Sequence, residues 1–253
     1  MAAICVVSGA VAVWLWLSGE SGTVILSPVY AFLTWALLRE IDPDHNWTAL
    51  TGAMVTAAWA LAGGPVTSGL AIAGMMIAAR IVTSTTGRRP LPVDLVAVSV
   101  FGIVIGFEVA GWVAGFGIAI AIYLDDRLAV GNSRAALVAA ASTSIGTTLV
   151  ATASNAFSER VPDIEQWVVL AAGVVVLTLL LRDPAPPISQ VDARHAAFID
   201  GTRLHVSRSL VGCLVFGTSI LTGSASPGLI VLIVALGLAV LSNEVELLRR
   251  RRV

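Results

Sequence analysis

The side chains able to do chemistry in this sequence are few and fall in three groups. The first lies in an apolar run at 134–156, which carries Ser142, Thr143, Ser144, Thr147, Thr148, Thr152, Ser154 and Asn155. Ser144, Thr148, Thr152 and Asn155 follow one another at spacings of four, four and three, so a helix puts them on one face. A stripe of hydroxyls ending in an amide could line a path for a polar solute that is losing its water. The same residue types also fill tight helix–helix contacts and bond back to their own backbone carbonyls, and packing is the stronger reading.

The second group is a single acid, Glu108, at the end of an apolar run. An ionisable residue in a hydrocarbon setting is a functional candidate by default, able to bind or relay a proton if buried. At that height in its run it also reaches the outer boundary, which is the blander reading. Asp94, just after Pro92, reads as a helix cap.

The third group is a pair of short acidic clusters, Asp42, Asp44 and His45 in one and Asp125, Asp126 and Arg127 in the other. Carboxylates with a histidine can ligate a divalent ion, and paired aspartates can hold magnesium against a diphosphate. Membrane enzymes acting on prenyl diphosphates use longer aspartate-rich loops, and Asp125-Asp126 has no third carboxylate beside it. Asp42-Pro43-Asp44-His45-Asn46 reads equally as a turn and helix cap before Trp47. Both clusters are expected to be structural, and neither a metal nor a cofactor is expected.

Several chemistries are excluded outright. The chain has no lysine, so its 15 cationic side chains are all arginine and no Schiff base or lysine nucleophile can form. Ser–His–acid groupings, a glycine-rich phosphate loop, HExxH and paired CxxC are all missing. Cys5 and Cys213 sit far apart in apolar runs and read as small buried hydrophobes.

These groups must be positioned by elements suited to an apolar solvent. The chain has 253 residues, of which 57% are hydrophobic and only 12% charged. Soluble domains carry about a quarter charged residues, so half that share points to hydrocarbon as the solvent. Apolar runs fall at 2–18, 23–39, 47–62, 65–82, 92–108, 111–124, 134–156, 164–181, 206–223 and 227–247. The expected fold is therefore all-α, one polytopic transmembrane bundle of about ten short helices with no separate soluble domain. Charged exits follow alternate runs (Arg39-Glu40, Arg80, Asp125-Asp126-Arg127, Arg182-Asp183 and Glu244 to Arg252), which suggests antiparallel hairpins. The pairs Gly102/Gly106 and Gly111/Gly115 are GxxxG spacings, a packing signal first.

Orientation follows from the arginines. All except Arg160 fall at those exits, in the segments after them or at the C-terminus. Cationic loops resist translocation, so that side is cytoplasmic, and an even number of spans puts both termini inside a cell membrane. The connector 183–205 opens with Pro184, Pro186 and Pro187. Ile188, Val191, Phe198 and Ile199 then recur at helical spacing, which fits either a short interfacial helix or a packed connector. His195 and His205 lie there with Arg194, Arg203 and Arg208, a basic patch suited to anionic headgroups.

The leading functional expectation is a secondary carrier or permease for a small polar solute, with the 134–156 helix lining the path. One alternative is a membrane enzyme acting on a lipid or polyprenyl substrate at the cytoplasmic face. The other is a non-catalytic subunit or assembly factor that works through its lipid-facing helices. Expected partners are membrane lipids, the solute, and a second copy or another membrane subunit; nucleic acid is not among them, and catalytic residues are not assigned.

Overall fold

The computed structural model describes residues 13, 26–44, 46–62, 68–84, 90–129, 133–156, 190–192, 197–198 and 200–221. Within them lie α1 (Ser27–Ile41), α2 (Asn46–Leu61), α3 (Gly69–Thr83), α4 (Pro92–Val104), α5 (Gly111–Leu128), α6 (Arg134–Ala153) and α7 (Gly201–Leu221). A 3-10 turn at Ile105–Phe107 extends α4. The helical class is as expected, and each of these helices falls on one of the apolar runs. The runs 2–18, 164–181 and 227–247 lie almost wholly outside the described residues.

Helix length does not support an architecture of about ten crossings. Among the described residues α6 alone, with 20 residues, is long and apolar enough to cross a membrane, while Ala49–Leu61, Gly69–Thr83 and Pro92–Phe107 are shorter apolar helices. A helix rises about 1.5 Å per residue, so 15 residues, the length of α3, fall short of a hydrocarbon layer about 30 Å thick. Hydropathy alone could not reveal this, because an apolar run need not be helical from end to end.

The helix starts obey local rules. Pro28 and Pro92 occupy first turns, where a missing N–H breaks no bond. Asp94 accepts the Leu91 N–H at 2.8 Å, so it is the cap its position implied. Ser68 and Ser133 cap α3 and α6 through the N–H groups of Ala71 and Ala136.

Helix α3 stands at the centre, packed against α1, α5 and α7. Leu37, Leu38, Ile41, Ile72, Met75, Ile118 and Ile122 are fully buried around it. The glycine pairs form a second junction, where α4, α5 and α6 meet. A Cβ on Gly115 would lie 2.5 Å from the Gly102 carbonyl oxygen, and one on Gly102 would lie 2.9 Å from Thr143 Cγ2. Only hydrogen side chains permit that approach, so the packing reading of both GxxxG spacings holds.

The connector corrects one expectation. Residues Gln190–Asp192 (β1) and Ala197–Phe198 (β2) form a short antiparallel pair, with Gln190 opposite Phe198, where the apolar stripe fitted either an interfacial helix or a packed connector. Val191 between Gln190 and Asp192 also satisfies a period of two, and so short a stripe does not separate the two periods. Helix α7 accordingly starts at Gly201, five residues before the apolar run does.

Candidate functional site

The densest polar arrangement sits where α1, α3 and α5 end and α7 begins. Helix C-termini expose carbonyl oxygens with no intrahelical donor and carry partial negative charge. Here α7 supplies the donors. Asp200 accepts the Thr202 N–H at 2.8 Å and fixes the first turn, which carries Arg203, with Arg208 five residues further along the helix.

Arg203 reaches two helix ends at once. Its Nη1 donates to the Val82 carbonyl at 3.0 Å, to Ser84 Oγ at 2.8 Å and to Asp125 Oδ1 at 2.5 Å. Ser84 Oγ also donates to Asp125 Oδ1 at 3.1 Å, which closes a ring of three side chains. Arg203 and Asp125 are both nearly buried, with 13% and 12% of their side chains exposed. Arg208 serves α1, its Nε donating to the Ile41 carbonyl at 2.6 Å and its Nη2 lying 3.9 Å from Asp42 Oδ1. Ser207, between them, donates to the Ala79 carbonyl of α3 at 3.3 Å. A third pair, Arg80 with Glu40 at 3.2 Å, joins α3 to α1, and Thr83 donates to the same carboxylate at 3.3 Å.

The two acidic clusters, which together could form a polar mouth, are thus partly assembled and largely engaged by partners. Asp42 and Asp125 are buried at one end of the bundle, each facing an arginine of α7. Asp44 is exposed. Asp126 accepts the Ser133 N–H with both oxygens at 3.2 Å. The Arg127 guanidinium lies over the Tyr123 ring, 5.2 Å from its centroid. His45 lies outside the described residues. Among the described residues no group of three or more His, Cys, Asp or Glu could hold a metal ion. Asp42 and Asp125, paired with arginines in this way, fasten helices together.

On α6 the structure separates two hydroxyl faces. Thr143 and Thr147 are buried, and Thr147 Oγ1 donates across to the Gly102 carbonyl at 3.1 Å. The predicted stripe is the other face. Thr148, Thr152 and Asn155 are exposed and Ser144 is half-buried. Thr148 Oγ1 bonds back to the Ser144 carbonyl at 2.9 Å and Thr152 Oγ1 to the Thr148 carbonyl at 2.8 Å. Asn155 sits just past the helix with a left-handed φ of 54°, a conformation that asparagine tolerates better than most residues. Packing therefore governs α6, but through residues one position away from the stripe.

Glu108 lies outside the helical segments, in the turn from the 3-10 extension of α4 into α5. It is half-buried and accepts a short hydrogen bond from Ser68 Oγ, the N-cap of α3. Its carbonyl takes the N–H groups of Gly111 and Trp112. Burial pushes its carboxyl above the ordinary range.

Arg203 and Arg208 as cross-helix caps, Ser84 beside Arg203 and Glu40 beside Arg80 escaped sequence reasoning. The available signal was charge balance, since acids at the exits of α1 and α5 need cations if those ends are buried. No family model, curated protein or solved structure matches the chain.

Proposed function

We propose that the chain is a multi-pass membrane protein that works as a non-catalytic subunit, offering the outer face of α6 to another membrane helix. Membrane residence rests on the outward faces. Val93, Val96, Val100 and Val104 line the exposed side of α4, and Leu137, Val138, Ile145 and Leu149 that of α6. Faces so continuously apolar are costly in water and ordinary in lipid. The arginines gathered at one end of the bundle mark the cytoplasmic side.

The observation that carries the subunit reading is the contrast between the faces of α6. One is consumed by Gly102, Gly106 and Gly115 of α4 and α5, while Thr148 and Thr152 remain exposed with hydroxyls already bonded to their own helix. Small side chains with satisfied hydroxyls suit close approach of a second helix better than passage of a solute, which needs donors and acceptors to spare. A photo-crosslinking residue at Thr148 or Thr152 in intact membranes should yield a discrete protein adduct, and one at Val100 should yield lipid alone. Lipid adducts at every position overturn the reading.

Glu108 favours a second reading, a small-solute carrier in which this carboxyl takes up the coupling proton. Proteoliposome uptake driven by a pH gradient and lost in Glu108→Gln would put the carrier ahead.

A further inference from the structure

Four arginines of the described bundle end are committed to partners and two are left over. Arg39 donates to the Pro43 carbonyl and Asn46 Oδ1, both at 2.6 Å. Arg80 faces Glu40, Arg203 faces Asp125, and Arg208 holds the Ile41 carbonyl beside Asp42. Arg127 is different. It is exposed, its Nε donates to the Tyr123 hydroxyl at 3.2 Å, and its guanidinium carbon lies over the Tyr123 ring. No acid among the described residues meets it. Arg134, at the start of α6, is exposed and pairs with no acid among the described residues.

The turn brings these two arginines to one corner. Asp126, next to Arg127, binds the N–H of Ser133, next to Arg134. The carboxylate that could have neutralised either arginine is engaged with backbone, although its charge still lowers the net charge of the corner to about +1. Held at Nε by the Tyr123 hydroxyl with its carbon over the ring, the Arg127 guanidinium is already restrained, so less side-chain entropy is lost when a phosphate binds. Tyr123 is 41% exposed and Trp47, at the same end, 78% exposed. Aromatic side chains of that kind sit at headgroup level when the apolar faces between the bundle ends are in lipid.

We propose that Tyr123, Arg127 and Arg134 form a headgroup site that selects anionic phospholipids of the cytoplasmic leaflet. The proposal rests on the membrane reading above and is independent of the partner helix. Arginine is the suitable cation because its planar fork meets two phosphate oxygens together. The remaining arginines of this end, spent on helix ends and acids, contribute only background potential.

The test uses the full chain reconstituted in phosphatidylcholine vesicles, with spin-labelled phosphatidylglycerol or spin-labelled phosphatidylcholine as probe. Wild-type protein should immobilise the anionic probe several-fold more strongly than the zwitterionic one. Arg127→Gln and Arg134→Gln should each lower that preference about fivefold at most, and the double variant should bring it close to unity. Tyr123→Leu, which removes both ring and hydroxyl, should weaken the preference with all charges kept. Arg39→Gln, an equal loss of charge at the same end, should leave it nearly unchanged. An equal loss in Arg39→Gln, or no loss in the double variant, overturns the site in favour of diffuse surface charge. Loss of the preference on adding millimolar inorganic phosphate overturns the lipid assignment in favour of a soluble anion. Failure of the chain to float with vesicles removes the membrane reading and this site with it.

Discussion

The two ends of the bundle solve the same problem with opposite charges. At one end three helices finish, and their carbonyls meet Arg203 and Arg208 from α7. At the other, α3 begins, and its N-cap Ser68 meets the carboxylate of Glu108. Cations at C-termini and an acid at an N-terminus both complement the helix dipole. The difference is one of commitment. The arginine end is a network of buried pairs with several acceptors for each donor, whereas the Glu108 end is a single carboxyl on a single hydroxyl. A network that binds four helices should dominate stability, and an isolated ionisable group is the one left to respond to pH.

The comparison breaks most readily at Arg203. Arg203→Ala leaves Asp125 buried without its cation and should cost about 3–5 kcal/mol in the unfolding of detergent-purified protein. Adding Asp125→Leu should recover a large part of that, since the orphaned charge is then gone. A loss under about 1 kcal/mol would mean that water already reaches this end.

The glycine junction comes next. Gly102→Val pushes a side chain into Thr143 and Ile118, and overpacking of that kind should cost about 1–3 kcal/mol. Thr148→Val and Thr152→Val, on the exposed face of the same helix pair, should stay within about 0.5 kcal/mol by the same melt. Equal effects at Gly102 and Thr148 would mean that α6 is rotated from the orientation described.

The Arg80–Glu40 pair sharpens the contrast within the arginine end. Arg80 is 54% exposed, so Arg80→Gln should cost less than about 1 kcal/mol, well below Arg203→Ala.

The smallest effect belongs to Glu108. Its folded-state pKa is raised, so between the unfolded and folded values the folded chain holds a proton that the unfolded chain has lost. Stability from this group is therefore greatest below the ordinary glutamate range and declines as pH rises through the raised value. Glu108→Gln should remove that decline from a pH series of melting temperatures, with no change in the response of the arginine network. If the wild-type and Glu108→Gln series run parallel, the carboxyl is fully solvated.

Sequence reading reached the helical class, the charged exits of α1, α3 and α5 and the glycine junction, because each depends on a period or spacing within one segment. Asp94 as a cap was legible for the same reason. The faces of α6 were not. Ser144, Thr148 and Thr152 share a helical face as the spacing requires, yet Thr143 and Thr147 occupy the next face with the same residue types. Nothing local says which of two hydroxyl faces meets a neighbour. The pairing of Arg203 with Asp125 and of Arg208 with Asp42 spans far too much chain for any spacing rule.

Taken alone, the sequence determined where the described helices run and at which of their exits charges collect, since those are properties of short stretches of covalent chain. Tertiary structure alone decided which charges neutralise one another, which hydroxyls are buried and which arginines are left exposed. The reason is that burial and ion pairing depend on distances between segments, and those exist only once the helices have packed.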